Sequence, residues 1–310
     1  MSAAKKIIAF VIVSFLLYGA AVFLLSRFGP GTYPLIYGLS DGLNLKGGNS
    51  YQKFREFDKS RHYAVIVIGS SHAYRGYDPR IFENNGFEMF NLGSSSQTPY
   101  NSFHIIDELL SERNCGLLLF DVFHVALQMD GLESTSDLVA NTRSDMLALN
   151  MALGHRDPRT LNMFSVRMVS RDLDPFYKDS AYVGSGFSEN RNAAGQEVEY
   201  PEDGGFKLVD RQREFLHRSI ALCRERGIEL VLVDHPLPKE MRGRRLAESN
   251  AWIKRVAKEH GVPFIDLSKA PGFSSEGDFY DHTHLNQGGV DSFNELLIRE
   301  LLDLYILEKD

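Results

Sequence analysis

The clearest chemical signal in this sequence lies near its end, where Asp281 precedes His284 by three residues. A carboxylate beside an imidazole fixes the ring tautomer and stabilises the imidazolium, so the pair can act as a base. A serine hydroxyl needs such a base because it is a weak nucleophile near neutral pH. The candidate serine is Ser71, which follows Gly69 and Ser70 at the end of an apolar segment. These residues predict attack of a serine hydroxyl on an acyl carbonyl.

Two other interpretations of these residues remain open. Asp281, His282 and His284 are all ligand types that zinc accepts, although no second cluster of convincing spacing accompanies them. Ser70 and Ser71 also suit the start of a helix, where a serine side chain caps free backbone N–H groups. A metal site and a purely structural serine pair are therefore alternatives to nucleophilic catalysis.

A second polar turn, Asn91–Ser96, follows another apolar segment and contains Gly93. A glycine there lets a backbone N–H approach a developing oxyanion without interference from a Cβ atom. An ordinary strand-to-helix loop capped by serines is equally consistent with this turn. The residues themselves leave both interpretations open.

The elements that must position these groups alternate along the chain. We predict strands at Tyr63–Ile68, Glu88–Leu92, Leu117–Val122, Ile228–Val233 and Val262–Asp266. Helices are predicted between and after them, at Asn101–Arg113, Asp210–Arg226, Arg244–Glu259 and Val290–Glu308. This alternation is typical of an α/β fold, a three-layer α/β/α domain with a mostly parallel sheet. The carboxyl ends of its strands would bring the two polar turns to one edge.

We divide the chain into an anchor, a linker and one domain. Residues 28–60 are rich in Gly, Pro, Tyr and Ser and are predicted to form a juxtamembrane linker, and residues 61–310 the α/β domain. The alternation lapses over residues 125–209, which we interpret as an inserted helical lobe with helices near Asp137–Leu153 and Asp157–Val169. A structureless loop of that length would be unusual in a compact domain.

The apolar run Ile7–Leu25 carries no charge and follows Lys5 and Lys6. Its length just reaches the roughly 20 residues that span a bilayer. A cleaved signal peptide is the alternative, but the run is long for one and no small-residue cleavage site follows it. The lysines favour a single pass through the cytoplasmic membrane, with the N-terminus in the cytoplasm and the domain on the other side, periplasmic or extracellular.

Composition excludes some partners. The formal net charge of -7 argues against nucleic acid, whose phosphates require a basic face. Cys115 and Cys223 lie far apart without metal-ligand spacing, which favours two buried free thiols over a disulfide. No cofactor motif is evident in the sequence.

Taken together, three blocks of this sequence resemble the SGNH/GDSL hydrolase superfamily. They read Gly69-Ser70-Ser71, Asn91-Leu92-Gly93, and Asp281-x-x-His284-Leu285-Asn286-x-x-Gly289, in the order and strand placement of that family. The resemblance covers the chain from about Tyr63 onward, apart from the insertion. It implies Ser71 as nucleophile, His284 as general base and Asp281 as its partner. It also implies an oxyanion hole formed by the N–H groups of Ser71 and Gly93.

The sequence departs from the family pattern in two places. Ser70 replaces the usual aspartate, as in similar membrane-anchored members that handle cell-envelope glycans, including the D-alanyl-transfer proteins of the teichoic-acid pathway. The Gly-x-Asn-Asp block is absent, and Phe120–His124 stands in its place. Its asparagine donates to the oxyanion, and losing one such donor can cost roughly 10²–10³ in rate. His124 is a candidate replacement donor, and a histidine that only satisfies a loop carbonyl is the alternative.

Three further residues are candidates for the pocket. His235 follows the fourth strand, and His72 and Arg75 lie close to the nucleophile, where they could contact an anionic or sugar substrate. A structural role for His235 and simple solvation of His72 and Arg75 are the alternatives.

The resulting prediction is a serine esterase or O-acyltransferase acting on acyl esters of a cell-surface polysaccharide or glycolipid. Two alternatives come from other classes of protein. One is a non-catalytic envelope assembly protein on the same fold. The other is a metal-dependent hydrolase that uses Asp281, His282 and His284.

Overall fold

The computed structural model describes residues 2–28, 35, 46–192, 199–200, 202–304 and 306–308. These residues form seven strands and eleven α-helices. The strands, in chain order, are β1 (Tyr63–Ile68), β2 (Met89–Asn91), β3 (Cys115–Asp121), β4 (Tyr182–Gly184), β5 (Phe187–Ser188), β6 (Glu229–Asp234) and β7 (Phe264–Asp266). The helices are α1 (Ala3–Arg27), α2 (Gly48–Glu56), α3 (Ser71–Gly76), α4 (Pro79–Asn84), α5 (Pro99–Leu109), α6 (Leu132–Asn141), α7 (Asp145–His155), α8 (Pro158–Val169), α9 (Asp210–Glu225), α10 (Arg244–His260) and α11 (Gln287–Asp303).

The central sheet has five strands in the order β2-β1-β3-β6-β7, and every neighbouring pair is parallel. This is the order of flavodoxin-like sheets, in which the chain turns back at the first strand and leaves a crevice at the carboxyl ends of β1 and β3. The predicted α/β/α architecture is confirmed. All five predicted strands are present, although β2 is shorter than predicted.

Alternating residues of the strands send their side chains to opposite faces, so each face needs its own apolar cover. Ile66 and Ile68 belong to a core completed by α5, α9, α10 and the inserted lobe, whereas Val65 and Val67 belong to a core completed by α3, α4 and α11. Because both faces of the sheet are covered, its strands read as continuous apolar runs in the sequence. The free cysteines Cys115 and Cys223 are both buried in the first core, as predicted.

The predicted linker contains ordered structure. Residues 48–56 form helix α2, whose Phe54 is buried in the core and whose Lys53 is fully buried. The high Gly and Ser content of residues 28–60 suggested a linker, but a short apolar face is enough to dock a helix on a domain. The rest of that range, apart from residues 28, 35, 46–47 and 57–60, lies outside the described residues.

The inserted lobe contains three helices where two were predicted. The predicted helix Asp137–Leu153 is divided between α6 and α7, because Thr142 ends α6 and Ser144 begins α7. The Ser144 side chain accepts a hydrogen bond from the N–H of Leu147, 3.1 Å away, which is a helix N-cap. The third helix, α8, matches the predicted Asp157–Val169 closely.

Helix α1 is long and apolar enough to cross a membrane, and nearly all its side chains are exposed. Its carboxyl-terminal part packs beside α8 of the lobe. Val22 and Ser26, one turn apart, are its buried residues, and Arg27 pairs with Asp172 at 2.6 Å. Helix α1 is therefore attached to the lobe by side-chain contacts.

The antiparallel hairpin β4-β5 covers the open edge of β2. The Asn91 amide donates to the Ser185 carbonyl at 2.8 Å, which pairs a polar group that an edge strand leaves exposed. The next residue, Gly186, lies so close to the strand that a Cβ atom would be 1.8 Å from the Asn91 carbonyl oxygen. Only glycine fits at this position.

We expect Gly186→Ala to lower the thermal unfolding midpoint more than Gly86→Ala does. Both glycines have positive φ, 84° and 92°, so each alanine carries backbone strain of about 1–3 kcal/mol. At Gly86 a Cβ meets no atom within 4 Å, whereas at Gly186 the hairpin must leave the sheet edge. Thermal unfolding of the full-length protein in detergent measures the difference. Equal midpoints for the two variants would contradict the close approach.

Candidate functional site

Ser71, His284 and Asp281 form a continuous hydrogen-bonded chain. The Ser71 Oγ and His284 Nε2 atoms are 2.7 Å apart, and His284 Nδ1 lies 2.8 Å from Asp281 Oδ2. The serine and histidine are 213 positions apart in the sequence, so only the fold joins them. Ser71 and His284 are partly exposed, which leaves the serine hydroxyl accessible.

Local structure at the end of β1 places the serine. Gly69 has a φ of 151°, and a Cβ there would lie 2.7 Å from Asp121 Cβ, so the turn needs glycine. Ser70 is the N-cap of α3 and Ser71 its first residue. The backbone N–H groups of the first helical turn have no intrahelical acceptor. The Ser71 N–H is therefore free to bind an oxyanion beside the hydroxyl.

A tight turn before α11 places the base. The Asp281 carboxylate accepts from the amides of Thr283 and His284 at 2.9 and 2.8 Å, and the Tyr280 amide donates to the His284 carbonyl at 3.0 Å. Burial raises the pKa of Asp281, but the hydrogen bonds and charge of His284 outweigh this and hold the pKa well below its usual range. The carboxylate thus stays ionised and fixes the ring of His284.

The pKa of His284 is lowered by opposing effects. Burial is the largest and lowers it, the hydrogen bond and charge of Asp281 raise it, and the positive charge of Arg75 lowers it. The result is an imidazole that is neutral near neutral pH. A neutral imidazole can accept the serine proton.

Three imidazole rings are stacked beside Ser71. His72 lies between His284 and His235, with ring centroids 4.3 and 4.2 Å apart and interplanar angles of 11° and 18°. Burial, followed by the charges of its histidine neighbours, lowers the pKa of His72 well below the usual value. Its ring is therefore neutral, and its position restricts the tilt of His284.

A buried carboxylate holds the far end of this stack. Asp121 Oδ2 lies 2.8 Å from His235 Nδ1 and accepts from the Tyr77 hydroxyl at 2.8 Å. Burial lowers the pKa of His235, but the charge and hydrogen bond of Asp121 outweigh it, so the pKa is raised. His235 is thus a second carboxylate-paired histidine, separated from His284 by the ring of His72.

A cavity of about 370 Å³ opens beside Ser71. Its walls are largely apolar, and Arg245 and His282 add polar groups to its lining. The apolar lining residues are Phe123, Val125, Ala126, Met129 and Met241. A cavity of this size and lining suits the apolar part of a small ligand.

The predicted oxyanion role of Gly93 does not match the geometry. Its amide donates to Asn91 Oδ1 at 3.0 Å, and its carbonyl accepts from the buried ammonium of Lys53. Gly93 is needed for a different reason, because a Cβ there would lie 2.5 Å from Ala73 Cβ. The residue of this loop that lines the cavity is Ser96, which has a φ of 51°.

The other predicted pocket residues divide between two positions. His124 is buried and is not among the residues that line the cavity beside Ser71. Arg75 lies on the other side of His284, where its guanidinium is 5.8 Å from the centroid of the Tyr280 ring. Neither residue lines the apolar cavity, and nor does His235, whereas the predicted pocket residue His72 does.

The proposed metal ligands do not converge. Both oxygens of Asp281 bond to His284, and His282 is exposed at the cavity. Within the described part of the chain, the group of side chains close enough to share an ion is His217, Glu259 and His260, on α9 and α10. The Asp281 carboxylate is thus directed at the His284 ring.

Sequence reasoning missed three contributors to this site. Asp121 belongs to the block that departs from the family pattern, and a carboxylate at the end of a buried strand is itself a sign of a functional site. Lys53 was assigned to the linker, and nothing in its sequence surroundings indicates burial. Part of the apolar cavity wall, formed by Val125, Ala126 and Met129, comes from the start of the insertion, where the alternation of predicted elements lapses.

Comparison with known proteins adds similarities of fold. No family model and no curated protein match the chain. Among solved structures, a proposed acylhydrolase from Bacteroides fragilis matches with a TM-score of 0.43 and 14% identity over 82% of this chain and 94% of that one. A GDSL-like lipase from Bacteroides thetaiotaomicron matches with a TM-score of 0.40 and 12% identity over 81% and 98%.

A lipase/acylhydrolase from Enterococcus faecalis matches with a TM-score of 0.39 and 15% identity over 76% of this chain and 94% of that one. The similarities span nearly the whole of each matched chain. This chain is thus similar to acylhydrolases and lipases of the GDSL type among solved structures.

Proposed function

We propose that this protein is a serine-dependent esterase or O-acyltransferase. The observation that carries the proposal is the unbroken chain from Ser71 through His284 to Asp281, with contacts of 2.7 and 2.8 Å. A nucleophile, a base within hydrogen-bonding reach and a carboxylate that orients the base are the parts that acyl transfer needs. The empty space beside the hydroxyl gives an acyl group room to approach.

In the first step, His284 takes the Ser71 proton as the hydroxyl oxygen attacks the ester carbonyl. The C–O bond to the leaving alcohol then breaks, and His284 returns the proton to that alcohol. An acyl-enzyme remains on Ser71. Water or a sugar hydroxyl attacks it in the second step, again with His284 as the base, and the serine is regenerated.

The Ser71 N–H, at the free start of α3, is the first oxyanion donor in this mechanism. Ser96 replaces Gly93 as the second, because it is the residue of its loop that lines the cavity. Its backbone lies in the left-handed region, where strain is commonly retained at functional sites. The Gly93 amide instead holds the loop in place through Asn91.

The cavity and helix α1 support the proposed substrate class. Apolar walls beside the serine suit an acyl group, and Arg245 and His282 offer hydrogen bonds to the alcohol part. We infer an acylated cell-surface polysaccharide or glycolipid. The contacts of α1 with the lobe favour an anchor that is retained, since cleavage would remove the Arg27–Asp172 ion pair. Lys5 and Lys6 then favour a catalytic domain outside the cytoplasmic membrane.

A second candidate function is a non-catalytic envelope assembly protein. Two observations favour it: the family's asparagine is absent, and the Gly93 amide is already bonded. Such a protein would retain its function after loss of the serine hydroxyl.

We expect Ser71→Ala and His284→Ala to lower turnover of a small acetyl ester by about 10⁴-fold or more. Labelling of Ser71→Ala by a fluorophosphonate probe should be abolished. Ser95→Ala is the matched control, because this nearby serine bonds Glu133 and does not line the cavity. Ester turnover that survives in Ser71→Ala would exclude the triad. A wild-type protein as inert as the variants would favour the assembly protein.

We expect Arg75→Gln to move the acid limb of the pH–rate profile to higher pH. The Arg75 charge lowers the pKa of His284, so its removal raises that pKa, and the base becomes protonated at a higher pH. Asp281→Asn should move the limb in the opposite direction, because the carboxylate raises the same pKa. Rates of fluorophosphonate labelling between pH 4 and 8 measure both. A limb that moves the same way in both variants contradicts this assignment.

We expect His72→Ala to reduce kcat about tenfold or more, and His72→Phe to reduce it much less. Phenylalanine keeps a flat ring between His284 and His235, whereas alanine leaves His284 free to tilt, and small misplacements of a catalytic group are costly. Steady-state kinetics on a small ester and thermal unfolding in detergent separate positioning from folding. If both variants lose activity equally while remaining folded, the ring stack does not position the base.

A further inference from the structure

A second cavity, of about 320 Å³, lies between the inserted lobe and α2, away from the triad. We call it the basic cavity because five cationic side chains line it. They are Lys46, Arg55, Arg143, Arg167 and Arg171. Asp145 is the carboxylate in its lining, which leaves an excess of four positive charges around a space that is open to solvent.

The charges in this cavity are only partly compensated. Arg167 donates to Asp145 at 2.9 Å, and Arg171 contacts the same carboxylate. Lys46 donates to the carbonyls of Ser170 and Arg171 at the end of α8. Burial, followed by the charges of Arg55 and Arg167, lowers the pKa of Lys46. The cationic groups thus repel one another, and a bound anion would offset this repulsion.

The basic cavity is close to the place where α1 meets the lobe. Helix α8 contributes Met163, Val166 and Arg167 to the cavity and also packs against α1. Tyr18 of α1 contacts Asn162 of α8. Tyr18 precedes Leu25, the end of the apolar run, by about 10 Å of helix. With α1 in a membrane, Asn162 therefore lies below the headgroups, whereas the end of α8, where Arg27 donates to the Val169 carbonyl and pairs with Asp172, lies at headgroup depth.

The surface of α8 suits that position. Leu161 and Met168, two turns apart and thus on one face, are each 42% exposed. The sulfur of Met168 lies 3.4 Å from a guanidinium nitrogen of Arg171, which joins this apolar face to the basic cavity. Apolar residues beside cationic ones are typical of helices that lie in the membrane interface.

From this arrangement we propose that the basic cavity binds the phosphate headgroup of an anionic phospholipid from the membrane that α1 spans. Guanidinium groups bind phosphate oxygens through two parallel hydrogen bonds, so several arginines around one space suit a phosphodiester. Met163 and Val166 would contact the glycerol and the first carbons of the acyl chains. The site is separate from the proposed acyl transfer, whose residues it does not share.

The test uses full-length protein in a non-ionic detergent and three probes. Dihexanoyl-phosphatidylglycerol is the anionic lipid, and dihexanoyl-phosphatidylcholine is the matched zwitterionic lipid. Inorganic phosphate tests whether a phosphate group without a lipid is enough for binding. Native mass spectrometry gives bound adducts, and thermal unfolding gives an apparent affinity. We expect phosphatidylglycerol to bind at least about tenfold more tightly than either other probe, and less tightly as salt increases.

Arg143→Glu is the diagnostic variant because Arg143 is exposed. Among the described residues that line the cavity, the ion pairs join Arg167 and Arg171 to Asp145, and Arg143 takes part in neither. This variant should weaken phosphatidylglycerol binding about tenfold or more. Lys258→Glu makes the same charge change at an exposed position of α10 and should leave phosphatidylglycerol binding unchanged.

Equal affinity for both lipids, or equal weakening in the two variants, would overturn the proposal. Inorganic phosphate that binds as tightly as phosphatidylglycerol would also overturn it. Fluorophosphonate labelling of Arg143→Glu should match the wild type, so failure of this proposal is distinguishable from failure of the catalytic one.

Discussion

The hydrogen bond between Ser71 and His284 is the contact on which the candidate site depends. It joins the end of the first strand to a turn before the last helix, so it forms only when both cores are packed. Each partner is held by its own short-range structure. Gly69 turns the chain after β1, and two amides of the Asp281 turn bind the carboxylate. The sheet then brings two locally determined turns within 2.7 Å of each other.

Behind this contact lies a network of polar side chains that are almost fully buried. His72 separates two histidines, each with its own carboxylate, and Tyr77 adds a hydrogen bond to Asp121. Buried polar groups are costly unless paired, and a network of this kind can specify one arrangement of the core. Here it supports the ring of the proposed base. The largely apolar cavity that would hold a substrate opens beside Ser71, and His72 and His284 form part of its lining.

The inserted lobe connects the candidate site to helix α1. It supplies Ala126 and Met129 to the cavity beside the serine, packs against α1 and lines the basic cavity. An element with these three roles holds the candidate site, the basic cavity and α1 in a defined arrangement.

The sequence by itself predicted the five strands of the central sheet, the order of the elements and the candidate residues Ser71, His284 and Asp281, because these follow from local patterns. The hairpin β4-β5 and the contact between Ser71 and His284, 213 positions apart, were decided by the fold. Apolar runs indicate strands that are covered on both faces. A serine after a strand, and an aspartate and a histidine in a turn, indicate a possible nucleophile and base. Tertiary structure alone decided the role of Gly93, whose amide turns to Asn91, and the burial of Lys53 and of the imidazole stack. These features depend on which side chains meet across long separations, and no local pattern records that.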